Sequence, residues 1–394
     1  MHVIVPTADF IRLMSKLKPM KSLVTTGFSY PIYTIEAKDK KIRLIVSDNA
    51  SITASSEIFA NIQSPGVISV NGSDFFQLVS KLPHTNNPNL QSKDLELISD
   101  PGTLTVSTVS DYSNIGASVT QSRSFTLVMS ILSARDDFVP QGPTAIKVPL
   151  PALYLADVFR ALGKIISNYT SSITGLSGVL LRCKDKKLLF VVSDGYRIIE
   201  ISYPGDVPAP DFDIILPKTT CIIMQSILSD GDSLELWSDG HQVKFVIDNA
   251  GLRTSVLSSI ILAYFPPYAS VFDVSGIVVK LSTKLLVDNV ANVRKAIDED
   301  PYRIRINFTN KVFNIYNHGQ GSHISFKNEG IPLIQGPANP HDLIINAVLL
   351  DSSLSILGSE SIQITIPPDK KPIIVDNLDD NLRIKIAIAL VEED

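Results

Sequence analysis

The sequence predicts an α+β fold built from three similar domains. The same order of elements occurs three times along the 394 residues, and each copy contains two amphipathic helical segments. Segments of alternating apolar and polar residues lie between these helices, as is typical of half-buried strands. One copy takes about 131 residues, an ordinary domain size. We place the domains at 1–142, 143–274 and 275–394, with the first boundary in the Pro/Gly-rich segment Pro140–Pro143.

Each copy opens with a short apolar strand followed by a helix. In the first copy, Val3–Lys18, four apolar residues have the spacing i, i+3, i+4 and i+7 and so share one helical face: Phe10, Leu13, Met14 and Leu17. The second copy, Val148–Asn168, repeats this spacing, and the third, Val278–Ile297, again places apolar residues at helical intervals. Thr7 precedes the first helical stretch, and its residue type predicts the helix N-cap.

A β-hairpin follows the first helix of each copy. Polar residues that tolerate positive φ separate two runs rich in β-branched residues, which is a hairpin pattern. These turns are Ser47-Asp48-Asn49, Ser193-Asp194-Gly195 and Asn317-His318-Gly319.

A second helix and a pair of strands complete each copy. A short strand and the second helix lie within Val67–Leu82, Asp213–Leu228 and Asp342–Leu357. The strand pairs lie within Leu95–Thr108, Ser233–Ile247 and Ser361–Asp376. Three copies of this order predict a triplicated chain with two helices in each copy.

The composition excludes several classes of protein. Apolar residues make up 44% of the chain and charged residues 19%, which is too apolar for a disordered protein. Two cysteines cannot form a disulfide scaffold and favour a reduced environment. The N-terminus has no basic and apolar leader, and no apolar run approaches the ~20 residues that span a bilayer. We therefore expect a cytoplasmic protein with no membrane partner.

No residue pattern predicts catalysis, a metal site or a cofactor. Among the six histidines only His318 and His323 are close together, and five positions apart on a strand they face opposite sides. Neither Cys183 nor Cys221 has another ligand at zinc spacing. Arg182 beside Cys183 would lower the pKa of that thiol, but a lone thiol without a base is no catalytic pair. With no nucleotide-binding or hydrolase motif present, we expect a protein that is not an enzyme.

Charge is unevenly distributed over the predicted elements. The chain carries 35 Lys+Arg and 40 Asp+Glu, and its net charge of −5 argues against nucleic-acid binding. The six helices and their immediate flanks nevertheless carry 11 basic and 5 acidic residues, a net charge of +6 that leaves −11 for the rest. The helix dipole accounts for basic residues at helix C-termini such as Lys16, but not for Arg160, nor for Lys218 and Lys284 near helix starts. The helices are therefore candidates for binding an anionic partner.

Short segments carry a resemblance to a known family. Ser193–Ile198 reads Ser-Asp-Gly-Tyr-Arg-Ile and is similar to the Thr-Asp-Gly-His-Arg-Leu segment of the bacterial DNA polymerase III beta sliding clamp. Phe265–Tyr268 resembles the Phe-Pro-Asp-Tyr segment of that family, and Gly178–Leu181 and Ile344–Asn346 also fit its pattern. The order of elements, the length and the triplication agree over nearly the whole chain.

The resemblance implies a DNA-clamp fold and a processivity function. Two chains would associate head to tail as a ring-shaped homodimer, with helices lining a hole that holds double-stranded DNA. Polymerase and clamp-loader subunits would be the protein partners. The candidate DNA contacts are the basic residues of the helices and their flanks: Arg12, Lys16, Lys21, Lys81, Arg160, Lys164, Lys218, Lys284 and Arg294.

The family binds short partner peptides in a cleft between its middle and last domains. The matching positions here are Leu176, Ser193, Gly195, Tyr196, Arg197, Ile198, Pro266, Val271, Ile384, Ile386 and Ile388. Periodicity alone favours core and hairpin packing for these residues. The last strand also departs from the Met-rich end of the family, because Ile386–Leu390 contains only isoleucine, alanine and leucine.

Two other functions stay open at this point. A clamp-derived protein would bind peptides in the same cleft without encircling DNA. An enzyme on a triplicated α+β scaffold is the third interpretation, and the missing catalytic pair argues against it. Reversing the charge of helix cations would separate the first two functions, because only a clamp on DNA depends on those charges.

Overall fold

The computed structural model describes residues 1–23, 32–48, 51–79, 94–111, 120–128, 138–141, 145–166, 173–295, 297, 302–317, 327–368, 371–379 and 382–391. These residues form an α+β fold, as the sequence predicts. Two α-helices lie in each third of the described chain: α1 (Thr7–Leu17), α2 (Gly72–Val79), α3 (Ala152–Ile166), α4 (Lys218–Ile227), α5 (Thr283–Lys295) and α6 (Ala347–Leu354). Short 3-10 helices occupy Lys18–Leu23, Thr174–Leu176 and Ala269–Val271.

Strands make up most of the remaining described chain. In chain order they are β1 (His2–Pro6), β2 (Ile32–Lys38), β3 (Lys41–Ser47), β4 (Ile52–Phe59), β5 (Asn61–Ser64), β6 (Gly66–Asn71), β7 (Asp94–Asp100), β8 (Thr103–Asp111), β9 (Thr120–Val128), β10 (Ile146–Leu150), β11 (Gly178–Lys184), β12 (Lys187–Ser193), β13 (Arg197–Ser202), β14 (Phe212–Pro217), β15 (Ser233–Ser238), β16 (Gln242–Asn249), β17 (Leu252–Ser259), β18 (Ile277–Ser282), β19 (Arg303–Phe308), β20 (Val312–Asn317), β21 (Lys327–Pro332), β22 (His341–Asn346), β23 (Ser361–Ile366), β24 (Ile373–Asp376) and β25 (Arg383–Ile388).

The chain divides into two compact units. Unit 1 comprises Met1–Ala156 and Ile222–Ile260, and unit 2 comprises Asp157–Cys221 and Ile261–Asp394. Unit 1 contains a five-stranded sheet in the order β5-β1-β7-β8-β9 and an eight-stranded sheet in the order β10-β15-β16-β17-β4-β3-β2-β6. Unit 2 contains an eight-stranded sheet in the order β14-β11-β12-β13-β25-β24-β23-β18 and a four-stranded sheet in the order β21-β20-β19-β22.

Each eight-stranded sheet combines strands from two successive sequence repeats. In unit 1 the first-repeat strand β4 pairs with the second-repeat strand β17, with Ser55 opposite Ser255. In unit 2 the second-repeat strand β13 pairs with the third-repeat strand β25, with Ile199 opposite Ile386. Repetition in the sequence predicts the strands of each repeat, whereas these pairings depend on residues about 185 to 200 positions apart.

Helix α1 shows which local predictions the structure confirms and which it corrects. Phe10, Leu13, Met14 and Leu17 are all buried on one face, as their spacing predicts. The predicted N-cap is wrong, because Thr7 is the first helical residue and Pro6 occupies the cap position with no side-chain hydrogen bond. Proline is well suited to this place, since it needs no partner for a backbone N–H that it lacks. Helix α6, by contrast, has a side-chain cap, in which its N-cap asparagine accepts two backbone N–H bonds.

Two absences apply to the described part of the chain. No helix there is long and apolar enough to cross a membrane. No group of three or more His, Cys, Asp or Glu side chains there is arranged to hold a metal ion.

Candidate functional site

The two cations of helix α1 predicted to contact DNA, Arg12 and Lys16, bond to residues at two turns of unit 1. Arg12 Nη2 donates to the carbonyl and side-chain oxygens of Asn249, each at 2.9 Å. Lys16 Nζ donates to Ser229 Oγ at 2.8 Å and lies 3.5 Å from the buried carboxylate of Asp232. These bonds fasten the first-repeat helix to two turns of the second repeat, so both side chains have a structural role in this unit.

Two other predicted cations form exposed ion pairs. Arg160 on α3 bonds to Asp157, and Arg294 on α5 bonds to Asp351 on α6. Both arginine side chains are about half exposed. Exposed pairs of this kind contribute ~1 kcal/mol or less, so either arginine can exchange its carboxylate for a phosphate at little cost.

The remaining predicted cations are lysines in different surroundings. Lys284 is exposed near the start of α5, whereas Lys218 is half-buried at the start of α4, and partial burial lowers its pKa. Lys21 and Lys164 lie in described helices, but their side chains are outside the described residues. Lys81 lies outside the described residues altogether.

One face of the eight-stranded sheet of unit 2 carries the predicted residues Ser193 and Ile198. Ile198 lies opposite Ser193 on β12 and Ala387 on β25, and we call this side of the sheet the Ile198 face. On the same face a row of directly opposed residues crosses five strands: Ile215, Leu180, Val191, Glu200 and Lys385. The apolar half of this row provides a surface for hydrophobic packing.

The chain segment that follows β17 covers the apolar half of the Ile198 face. Phe265 and Tyr268 are buried in one hydrophobic cluster with Leu176 and with the three apolar residues of the row, Leu180, Val191 and Ile215. The partly buried Ile198, Ile261 and Phe272 pack against this cluster. The rings of Phe265 and Tyr268 meet edge to face with 5.9 Å between their centroids.

Two glycines permit this close packing of loops. A Cβ atom at Gly175 would lie 2.2 Å from the Tyr264 carbonyl oxygen, and one at Gly178 would lie 2.4 Å from the Leu216 carbonyl oxygen. A larger residue at Gly175 would push the covering segment away, and one at Gly178 would collide with strand β14 and with Ile261.

The structure brings several predicted cleft residues to this cluster. Leu176 is buried within it, and Ile198 packs against it from the sheet. Pro266 and Val271 are half-buried in the covering segment. Leu176 and Ile198 therefore belong to the cluster, and Pro266 and Val271 lie in the segment that covers it.

The turn between β12 and β13 carries the other predicted residues. Gly195 has φ +85°, a conformation that favours glycine, and Tyr196 beside it is 67% exposed. Ser193 is buried and its hydroxyl donates to the Arg197 carbonyl at 2.9 Å. Arg197 is also buried, so it is not an open cleft residue; its guanidinium pairs with Asp194 at 2.8 Å.

The choice of residues on the last strand requires a correction. Ile384, Ile386 and Ile388 are fully buried, at 0% exposure, and lie on the side of the sheet opposite to Ile198. Lys385 and Ala387 occupy the Ile198 face instead. Side chains alternate along a strand, so a one-residue error in register reverses every assignment.

A polar group that the sequence did not indicate borders the cluster. Arg182 binds Asp213 through two hydrogen bonds of 2.7 and 2.6 Å, and its guanidinium lies over the Tyr268 ring, 5.9 Å from the centroid. Burial raises the pKa of Tyr268 to about 12, and the neighbouring Glu200 adds to this. Burial also raises the pKa of Glu200, against the opposing effect of Lys385. Arg182 and Asp213 lie directly opposite each other on β11 and β14, so knowledge of the strand register would have predicted this ion pair.

Both cysteines are buried, and neither forms a disulfide bond. Burial raises the pKa of the Cys183 thiol, so the lowering expected from Arg182 does not occur. The Arg182 guanidinium is bound to Asp213 and is directed to the other side of the sheet from Cys183. Burial also raises the pKa of the Cys221 thiol.

The repeats, the sheets that continue from one repeat to the next and the paired helices define the class of the fold, which is that of a DNA sliding clamp. No protein-family model and no curated protein matches the sequence. Solved structures match over 100% of both chains: a Helicobacter pylori beta clamp bound to a DNA ligase peptide, with TM-score 0.78 and 17% identity, the DNA polymerase III subunit beta of Pseudomonas aeruginosa, with 0.80 and 15%, and the DNA polymerase sliding clamp of Bacillus subtilis, with 0.80 and 14%. The particular fold is thus that of the bacterial DNA polymerase III beta clamp, and the resemblance in the sequence is confirmed at the level of the fold.

Proposed function

We propose that this chain is a DNA sliding clamp, a non-enzymatic processivity factor that encircles duplex DNA and tethers a DNA polymerase. The observation that carries the proposal is the full-length match to beta clamps, together with the two sheets of this chain that continue from one repeat to the next. Two chains would close a ring as a head-to-tail homodimer, with three domains per chain at 1–142, 143–274 and 275–394. Tethering makes rebinding of the polymerase effectively intramolecular, so no catalytic residue is required.

The proposed DNA contacts are the helix cations that unit 1 does not already use. Lys284 is exposed, and Arg160 and Arg294 have only weak surface carboxylate partners. Such cations bind phosphates without sequence specificity and release counterions, so retention on DNA should weaken steeply with salt.

The proposed partner site lies at the edge of the Ile198 face in unit 2, where Ile198 and the covering-segment residues Pro266 and Val271 are half-buried. Polymerase and clamp-loader subunits would insert short apolar peptides against Ile198, Pro266 and Val271, beside the exposed ring of Tyr196. The Helicobacter pylori relative was solved with a DNA ligase peptide bound, which supports a peptide as the ligand class.

The test is retention on circular DNA. The protein is loaded onto a nicked plasmid by the clamp loader of its own host and then separated by gel filtration. We expect it to elute with the circle, to be released when the plasmid is linearised, and to have a solution mass of twice 43.0 kDa by light scattering. A monomer with no loader-dependent retention would contradict the proposal.

The hydrogen bonds of Arg12 and Lys16 to residues of unit 1 favour a second candidate function, that of a clamp-derived protein that binds peptides without encircling DNA. Changing Arg160, Lys164, Lys284 and Arg294 to Glu separates the two functions. Polymerase processivity should be lost only if the chain encircles DNA, and peptide affinity should stay unchanged in both cases. The single change Lys284→Glu is compared with Arg305→Glu, a change of the same charge on strand β19, as the matched control.

A further inference from the structure

The guanidinium of Arg197 is buried between the β12–β13 turn and helix α6 in unit 2. Its Nε donates to Asp194 Oδ2 at 2.8 Å, and its Nη1 donates to Ser352 Oγ at 2.6 Å and to Ser353 Oγ at 3.0 Å. Nη1 also reaches the Leu349 carbonyl oxygen at 3.2 Å. Because only 6% of the residue is exposed, these donors are directed into the protein.

Helix α6 provides lone pairs at the point where Arg197 arrives. Ser352 Oγ donates its proton to the Val348 carbonyl at 2.7 Å, and Ser353 Oγ donates to the Leu349 carbonyl at 2.6 Å. A hydroxyl has one proton and two acceptor sites, so both oxygens then accept from the guanidinium. The bonds lie in the C-terminal half of the helix, where the helix dipole favours a cation.

The turn held by Arg197 is also the one that exposes Tyr196. Asp194 Oδ1 accepts the backbone N–H groups of Tyr196 at 3.0 Å and of Arg197 at 2.8 Å. The Tyr196 carbonyl accepts the N–H of Ala389 at 2.9 Å, just beyond β25. Arg197 therefore fixes a turn that bears an exposed aromatic ring on one side and the end of the last strand on the other.

We propose that Arg197 is a positioning residue for partner-peptide binding, which holds Tyr196 at the surface by anchoring its turn to helix α6 and makes no contact with the peptide. The inference rests on the proposed function, since it takes the Ile198 face as the peptide site. It differs from what the resemblance implies, because the resemblance counts Arg197 among the peptide contacts.

A double-mutant cycle with Tyr196 tests this role. The affinity of a fluorescein-labelled DNA ligase peptide is measured by fluorescence anisotropy for Arg197→Met, Tyr196→Ala and the double variant. If Arg197 acts through Tyr196, Arg197→Met weakens binding about tenfold in the natural chain and less than about twofold in the Tyr196→Ala background. Losses that multiply in the double variant would overturn the proposal.

A second variant removes the anchor from the helix side. The double variant Ser352→Ala and Ser353→Ala keeps the guanidinium but removes two of its acceptors, and we expect binding about threefold weaker. A direct contact by Arg197 instead predicts unchanged or tighter binding, which would overturn the proposal. This variant also serves if Arg197→Met does not fold, since that change leaves the carboxylate of Asp194 buried without its partner. Ser355→Ala, at the exposed end of the same helix, is the matched control.

Hydrogen exchange in the free protein separates this inference from the proposed function. Because the Ala389 N–H is bonded to the Tyr196 carbonyl, releasing the turn should speed exchange of that amide in both variants, while the amide of Val246 in unit 1 stays unchanged. Unaltered exchange at Ala389 would overturn the positioning role. A natural chain that binds no peptide, with the exchange pattern as expected, would overturn the proposed peptide site and leave only the anchoring of the turn by Arg197 standing.

Discussion

The two eight-stranded sheets are joined in the same way but carry different side chains across the join. In unit 1, β4 pairs with β17, and in unit 2, β13 pairs with β25. One row of directly opposed residues crosses five strands at equivalent positions in both. The row reads Ser69, Thr34, Ile45, Ser55 and Ser255 in unit 1, and Ile215, Leu180, Val191, Glu200 and Lys385 in unit 2.

In the row of unit 1, the hydroxyl groups hydrogen-bond one another. Thr34 and Ser69 share a hydrogen bond of 3.0 Å, and Ser55 and Ser255 share one of 2.9 Å. All four hydroxyl residues are buried, and their pairing satisfies polar groups that burial removes from water. This face has little to offer an apolar ligand.

The row of unit 2 requires a cover instead. Leu180, Val191 and Ile215 have no polar side-chain atoms, and the segment that contains Phe265 and Tyr268 buries them. The same backbone is thus packed against an apolar covering segment where the side chains in the row are apolar. This difference explains why we place the partner site in unit 2.

Removing the cover should have the largest effect. Phe265→Ala deletes a buried ring from the cluster of unit 2, and we expect it to lower the free energy of unfolding by about 3 kcal/mol. Urea unfolding followed by circular dichroism at fixed protein concentration measures this change. The neighbouring Tyr264 is 78% exposed, so Tyr264→Ala should stay within about 0.5 kcal/mol of the natural chain. Equal effects of the two changes would mean that the cluster does not hold the covering segment.

Breaking a hydroxyl pair of unit 1 should have a smaller effect. Ser55→Ala leaves Ser255 without one bond and should cost about 1 kcal/mol, whereas Ser55→Ala with Ser255→Ala should cost less than the sum of the two single changes. The same unfolding measurement gives all three values. Strictly additive losses would show that the two hydroxyls do not depend on each other.

The sequence predicted the features that local spacing determines. The buried face of α1 follows from four apolar residues at i, i+3, i+4 and i+7, and the β12–β13 turn follows from Asp194 and Gly195 between two apolar strands. Each pattern involves residues only a few positions apart, so local chain geometry alone decides it.

Distant contacts decided the rest of the site. The sequence could not place Ile386 on the buried side of β25, because its partner Ile199 lies 187 positions away. The burial of Arg197 depends on two serines of α6 that lie more than 150 positions later in the sequence. Arg12 hydrogen-bonds Asn249, which is 237 positions away. Such residues looked available for ligands because their protein partners are remote in the sequence.

The smallest effect is expected at Glu200, which occupies the place in the unit 2 row that Ser55 occupies in the unit 1 row. Burial raises the pKa of Glu200 in the folded protein above its unfolded value, so the folded state binds this proton more tightly. The ionised carboxylate therefore weakens the fold at neutral pH, and this cost disappears as the pH falls through the folded pKa. Glu200→Gln should unfold at a higher temperature than the natural chain near pH 7, with the difference vanishing toward about pH 4.

Thermal unfolding across this pH range measures the effect, and Ser55→Ala is the control. Its difference from the natural chain should not vary with pH, because no carboxyl group is removed from the row of unit 1. A Glu200→Gln variant that is less stable at neutral pH would show that the attraction of Lys385 and Arg182 outweighs burial. The polar end of the unit 2 row would then be a stabilising ion cluster, and the contrast between the two rows would rest on their apolar halves alone.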